Sequence, residues 1–111
     1  MSVLVLPLRD DAPHFEFSCR LDGVTFAFEF RWNDRARAWF MEIRDVEGNR
    51  LLSGRRVVLG FLLTQRFADP RLPAGQLVAI DTSTDGREAG PNDLGSRVRI
   101  LYLDAAEVAA L

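Results

Sequence analysis

The sequence predicts an all-β fold, a small antiparallel barrel or two-layer sandwich of about seven strands, with room for a short C-terminal helix. Three observations predict it. Apolar and polar residues alternate strictly from residue 14 to residue 32, turn dipeptides separate the alternating runs, and later apolar runs without alternation suit strands covered on both faces.

In "HFEFSCRLDGVTFAFEFRW" the residues Phe15, Phe17, Cys19 and Leu21 share one face, which Val24, Phe26, Phe28, Phe30 and Trp32 continue beyond Asp22 and Gly23. That pattern is a β-hairpin. Asp-Gly supplies the two positive φ values of a type I′ turn, because glycine has no Cβ and aspartate tolerates the left-handed region. With Leu21 opposite Val24, the register sets Phe17 against Phe28 and Phe15 against Phe30. Such aromatic pairs add about 0.2–1 kcal/mol each to burial worth roughly 25 cal/mol per Å².

After the loop "NDRAR", Trp39, Met41 and Ile43 alternate with Phe40, Glu42 and Arg44, and Gly48 with Asn49 bends the chain into a second hairpin before Leu51. These apolar positions join the phenylalanines and Trp32 as the expected core. Residues 57–63 and the run "RILYLD" read as strands buried on both faces. "QLVAIDTS" reads as another strand, and the polar stretch 82–95, rich in Gly, Asp, Thr and Pro, is expected to be mobile. At the end, Asp104 followed three positions later by Glu107 has the form of a capping box over a stretch too short to be helical unless docked.

A chain of 111 residues fits a single domain, 1–111, that buries roughly 65% of its unfolded surface. Apolar residues at 48% and charged residues at 27% exclude a disordered chain. The net charge of −2 offers no basic field, so no nucleic-acid partner is expected. One cysteine, Cys19, excludes an internal disulfide, and with one histidine it assembles no zinc cluster. The opening "MSVLVLPLRDD" has no positive n-region and no bilayer-length apolar run, so neither a signal nor a membrane span is expected.

Several constellations invite a chemical reading. The hairpin register sets Glu16 opposite Glu29, a spacing that could suit paired catalytic carboxylates, but both sit on a charged face beside Arg20 and Arg31 where no cleft is predicted. "DTSTDGREAGPN" has Asp81, Ser83, Asp85 and Gly86 in the places of a calcium loop, yet Asn92 stands where the closing Glu belongs, and a strand precedes it. His14 has no nucleophile at a recognisable spacing, and Cys19 on the aromatic face behaves as a small hydrophobe. No glycine-rich phosphate cradle follows a strand. Arg55 and Arg56, and farther on Arg97 and Arg99, form short basic sites that either protect strand edges or meet an acidic partner. No enzyme activity, cofactor or metal is expected.

In "FADPRLPAGQLVAID", Pro70 and Pro73 fix their own φ and push the preceding residues toward extended geometry, which makes the loop a stiff ridge. Ordering it on a partner costs little entropy, so the ridge suits docking. The order "FEFSCRLDGVTFAFEFRWNDRARAWFMEI", "LLSGRRVVLG", "RFADPRLPAGQLVAID" and "DLGSRVRILYL" resembles the small phage proteins grouped with the cyanophage baseplate plug domain, from Phe15 to Leu103. The resemblance implies a structural component of a bacteriophage or prophage tail baseplate, made in the host cytoplasm and carried in the virion tail. Its partners would be other baseplate or tail-tube proteins, and symmetric tail assembly admits a homo-oligomer in the particle. Partner contacts are expected at Pro70, Arg71, Leu72, Pro73, Arg55 and Arg56. The alternative reading is a small β-barrel ligand-binding module with an apolar interior.

Overall fold

The structure is a computed structural model that describes residues 3–60, 63–64, 71–83 and 86–106. Its strands are β1 (Val3–Val5), β2 (His14–Leu21), β3 (Val24–Asn33), β4 (Ala38–Arg44), β5 (Arg50–Arg56), β6 (Gln76–Asp81) and β7 (Val98–Leu103). They form two antiparallel sheets, β2-β3-β4-β5 and β1-β7-β6, which share one core. Among the described residues no ladder closes the sheets into a barrel, so the architecture is the two-layer sandwich.

The first hairpin has the expected register. Asp22 and Gly23 adopt φ of 51° and 80°, and Phe17 faces Phe28 while Phe15 faces Phe30. The four rings stack nearly parallel, with centroids 5.4 Å apart for Phe17–Phe28, 5.5 Å for Phe15–Phe30 and 5.9 Å for Phe17–Phe30. Phe28, Phe30, Trp39, Met41 and Ile43 are fully buried, whereas Phe17 and Trp32 pack against the core from its rim. The other sheet contributes Leu77, Ala79, Val98, Ile100 and Tyr102 from its inner face. At the second hairpin the Asp45 carboxylate accepts the N–H groups of Glu47 and Asn49, and Gly48 supplies a φ of 87°.

A buried phenol ties the two sheets together. The Tyr102 hydroxyl donates to Asp22 Oδ2 at 2.5 Å and accepts from the Gly75 N–H at 2.7 Å, while the same Asp22 oxygen accepts the Ala105 N–H. Burial pushes the Tyr102 pKa up and the Asp22 carboxylate reinforces the rise, so the phenol keeps the proton it donates. The turn aspartate thus serves both the hairpin and the sheet-to-sheet junction.

Three expectations are corrected. Of the expected strand 57–63, the described residues 57–60 and 63 form none: Val57 prolongs the β4–β5 pairing by one hydrogen bond, Leu59 bridges to Ala79, and Gly60 and Leu63 donate to the carbonyls of Ala79 and Leu77. Gly60 has a φ of 77°, which breaks the extended run, so the segment crosses from one sheet to the other; its continuous apolar character comes from that crossing, with Val57 and Leu63 buried. Phe61 and Leu62 lie outside the described residues. Strand β7 is not covered on both faces, since Arg99 is exposed and Leu101 and Leu103 are only half-buried. Arg97 is no surface strand residue but precedes β7 and turns inward. The short "VLV" at the start, which sequence patterning left unassigned, pairs with β7 as β1. Of the expected terminal helix, only Ala105 and Ala106 take helical geometry within the described residues, and the rest of it lies beyond them.

Candidate functional site

The two outer faces of the sandwich differ in kind. On the four-stranded sheet, Glu16, Glu29 and Glu42 stand side by side across β2, β3 and β4, where like charges repel. Arg44 compensates all three: its guanidinium lies 2.5 Å from Glu29, 3.7 Å from Glu16 and in contact with Glu42. His14 and Arg31 also hold Glu29, and Arg50 holds Glu42 at 3.2 Å. A groove of about 360 Å³ runs over part of this face.

Burial works against the charged form of Glu29, but the bonds and charges of His14, Arg44 and Arg31 outweigh it and lower its pKa. A general acid needs the opposite shift, so the Glu16–Glu29 pair is arranged as a charge-compensated surface. His14, Glu16 and Glu29 bring ligand atoms within 4.8 Å of one another. Two guanidiniums already occupy the Glu29 carboxylate, however, and their charge opposes a cation there.

The outer face of the three-stranded sheet carries an apolar row, flanked by Gln76 and the exposed Arg99. Val5, Leu101 and Val78 lie in one row across β1, β7 and β6, opposite in pleat to the buried Leu77, Ile100 and Tyr102. Val5 is 46% exposed, and Leu101, Val78 and Ile80 are half-buried.

The ridge residues divide. Leu72 and Pro73 are buried and anchor the loop, Arg71 and Ala74 are exposed, and Pro70 lies outside the described residues. Arg71, Leu72 and Ala74 form one wall of a groove of about 400 Å³ whose other wall is the hairpin end, Leu21, Val24 and Phe26. Asp45 also lines it, its carboxyl held below the ordinary range by Asn49 first, with the Arg71 charge contributing. Val24 and, at the neighbouring turn, Val46 are exposed at 54% and 73%. Sequence patterning counted Val24 with the core face and did not single out Val46. Neither groove is lined by Phe15, Phe17, Phe28 or Phe30.

The basic pair divides as well. Arg55 donates from Nε to the Leu63 carbonyl at 2.8 Å and so braces the crossing segment, while Arg56 is exposed. Arg97 is the cation that patterning misplaced: it bonds Asp81, Asp93 and the carbonyls of Arg87 and Glu88 at 2.9–3.0 Å, with 12% of its side chain exposed. The polar stretch expected to be mobile is therefore clamped at both ends, and Trp39 Nε1 donates into it at the Gly90 carbonyl, 2.8 Å away. The carboxylate in the first calcium-like place, Asp81, is taken by Arg97, Ser83 and the Gly86 N–H. Asp85 of that pattern lies outside the described residues.

Burial opposes the ionised Asp81, yet the Ser83 hydroxyl and N–H, the Gly86 N–H and Arg97 bring its pKa down to about 2. A depressed carboxylate contributes stability above its unfolded pKa and loses it as pH falls through the folded value. The clamp is expected to hold at pH 5 and loosen between about pH 4 and pH 2. Fluorescence of Trp39, whose indole bonds the clamped loop, is the readout, and Asp81→Asn is expected to shrink the acid transition to the part carried by Asp93, which also holds Arg97.

The sequence of the chain matches a known protein family. The model described as cyanophage baseplate Pam3 plug gp18 matches residues 3–105. The chain belongs to this baseplate plug family. No curated protein matches it. Membership places the chain among components of the phage tail and implies association with other phage structural proteins. Among the described residues no helix is long and apolar enough to cross a membrane.

Proposed function

We propose that the chain is a single-domain, non-catalytic structural part of a bacteriophage or prophage tail baseplate. It docks as a plug-like protein against other baseplate or tail-tube proteins, after synthesis in the host cytoplasm. The observation that carries this reading is the plug-family match across residues 3–105, which includes β1 to β7. The surfaces support it. An apolar row across β1, β7 and β6 loses little by desolvation, and the groove between Val24 and Arg71 offers a concave apolar seat beside an anchored ridge. In this reading the exposed Arg71 and Arg56 meet acidic groups of the neighbouring chains, with Pro70 among the contacts, and Leu72, Pro73 and Arg55 hold those surfaces in place. No nucleic acid, membrane or cofactor takes part.

The test is genetic and structural together. The gene is deleted from a phage or prophage that carries it, and the tails are imaged with and without the protein supplied in trans. Loss of density at the baseplate, restored on complementation, is the expected result. Complete, infectious tails that never contain the protein would refute the assignment.

A further inference from the structure

A sandwich has strand edges, and three of the four here are blunted. Strand β1 is only three residues long. Strand β5 meets β4 through register shifts near Ile43 and carries Gly54 at a φ of 69°. Strand β6 is covered by the crossing segment, which donates to it from Gly60 and Leu63. Strand β2 has none of these defences: its eight residues pair with β3 without a break, contain no proline, and have no strand on their other side among the described residues.

The hairpin geometry says which groups are open. A two-residue type I′ turn makes Leu21–Val24 a hydrogen-bonded pair, so odd-numbered β2 residues bond β3 and even-numbered ones point their N–H and C=O away from it. The Trp32 N–H bonding the Pro13 carbonyl follows the same parity. His14, Glu16, Ser18 and Arg20 therefore present their backbone polar groups at the edge. Arg20 is exposed and has no ion-pair or hydrogen-bond partner among the described residues, and Glu16 is 57% exposed with only the distant contact to Arg44.

The geometry points to a second copy of this chain as the occupant of that edge, with β2 pairing antiparallel to β2 about a two-fold axis through Ser18. This register sets Glu16 against Arg20 of the second copy, and by symmetry does so twice. The otherwise unpartnered cation meets an opposite charge, and about six backbone hydrogen bonds form across the axis. On the inner face the half-buried Phe17 and Cys19 of one copy oppose Cys19 and Phe17 of the other, extending the ring stack under an eight-stranded sheet. Shifting the centre by one residue makes 16 face 18 and 14 face 20, which sets His14 against Arg20 and leaves both charges without an opposite.

Sedimentation of the purified full chain tests this, and a charge swap makes it specific. The wild type is expected to sediment as a dimer that dissociates on dilution. Glu16→Arg and Arg20→Glu are each expected to weaken the dimer at least about tenfold, because each creates two like-charge pairs. Combining the two restores opposite pairs and is expected to restore the dimer. Ser18→Pro should abolish pairing without unfolding the chain, since the lost N–H faces outward and serves no ladder bond, and circular dichroism checks the fold. In a Cys19→Ser background, Ser18→Cys should form an interchain disulfide, the two Cα atoms facing each other about 5.5 Å apart. A wild type that is monomeric at every concentration, or a dimer that survives both single reversals, overturns the proposal. Either outcome leaves the baseplate reading untouched, because the edge argument does not use it.

Discussion

Replacing Phe30 with alanine is expected to lower stability by about 3–5 kcal/mol, read as a fall in urea midpoint at unchanged slope. Phe30 has no exposed surface and touches three rings at centroid distances of 5.5, 5.9 and 6.5 Å, from Phe15, Phe17 and Phe28. Its neighbours sit on two adjacent strands in fixed register, so they cannot close the space without breaking ladder bonds. Phe17 is the control. It belongs to the same stack but packs from the rim, so Phe17→Ala removes area already half wet and leaves an opening that water can fill. Its loss is expected to be less than half that of Phe30→Ala. Equal losses would mean that the stack is not the centre of the core.

The parts that sequence patterning reads correctly are those whose causes are local. Asp22-Gly23 carries its own turn chemistry, and once the turn is fixed the period of two places every ring from Phe15 to Trp32. The Gly48 bend is local for the same reason. Residues 57–63 were misread because continuous apolar composition has two causes: a strand covered on both faces, or a connection that passes through the core. Gly60 was the only local sign of the second, and nothing in composition says which sheet a glycine will turn toward.

Arg97 was misread for a related reason. Alternation with Val98 and Arg99 places it on a strand, but its inward turn depends on Asp81 and on carbonyls near residue 88, which only the finished topology brings within reach. The ridge reads as stiff from Pro70 and Pro73, while the burial of Leu72 goes with the groove wall it builds opposite the hairpin end. The apolar row on the outer face is also a pairing effect. Val5, Leu101 and Val78 come from both ends of the chain, and no single window of sequence contains the row they form.

Gly75 is expected to tolerate no side chain, although its backbone needs no unusual φ. A Cβ at this position would stand 1.9 Å from the Leu103 carbonyl oxygen and 2.8 Å from the Tyr102 ring and hydroxyl, so backbone and a buried phenol would both have to move. Neither gives easily, because Gln76 pairs with Leu103 in the next rung of the sheet and the phenol is held between Gly75 and Asp22. Gly75→Ala is expected to cost about 3 kcal/mol, at the upper end for overpacking. Tyr102→Phe isolates the polar share of the junction: it leaves the Gly75 N–H without its acceptor and is expected to cost about 1–3 kcal/mol. The double variant should lose less than the sum, since both changes disrupt one contact. Gly75 directly follows the ridge, so the alanine also frees the wall formed by Leu72 and Ala74. Protection of those amides from hydrogen exchange is expected to fall with it, and to stay near wild type in Phe17→Ala. A Gly75→Ala chain within about 0.5 kcal/mol of wild type would show that the strand ends do not meet this closely.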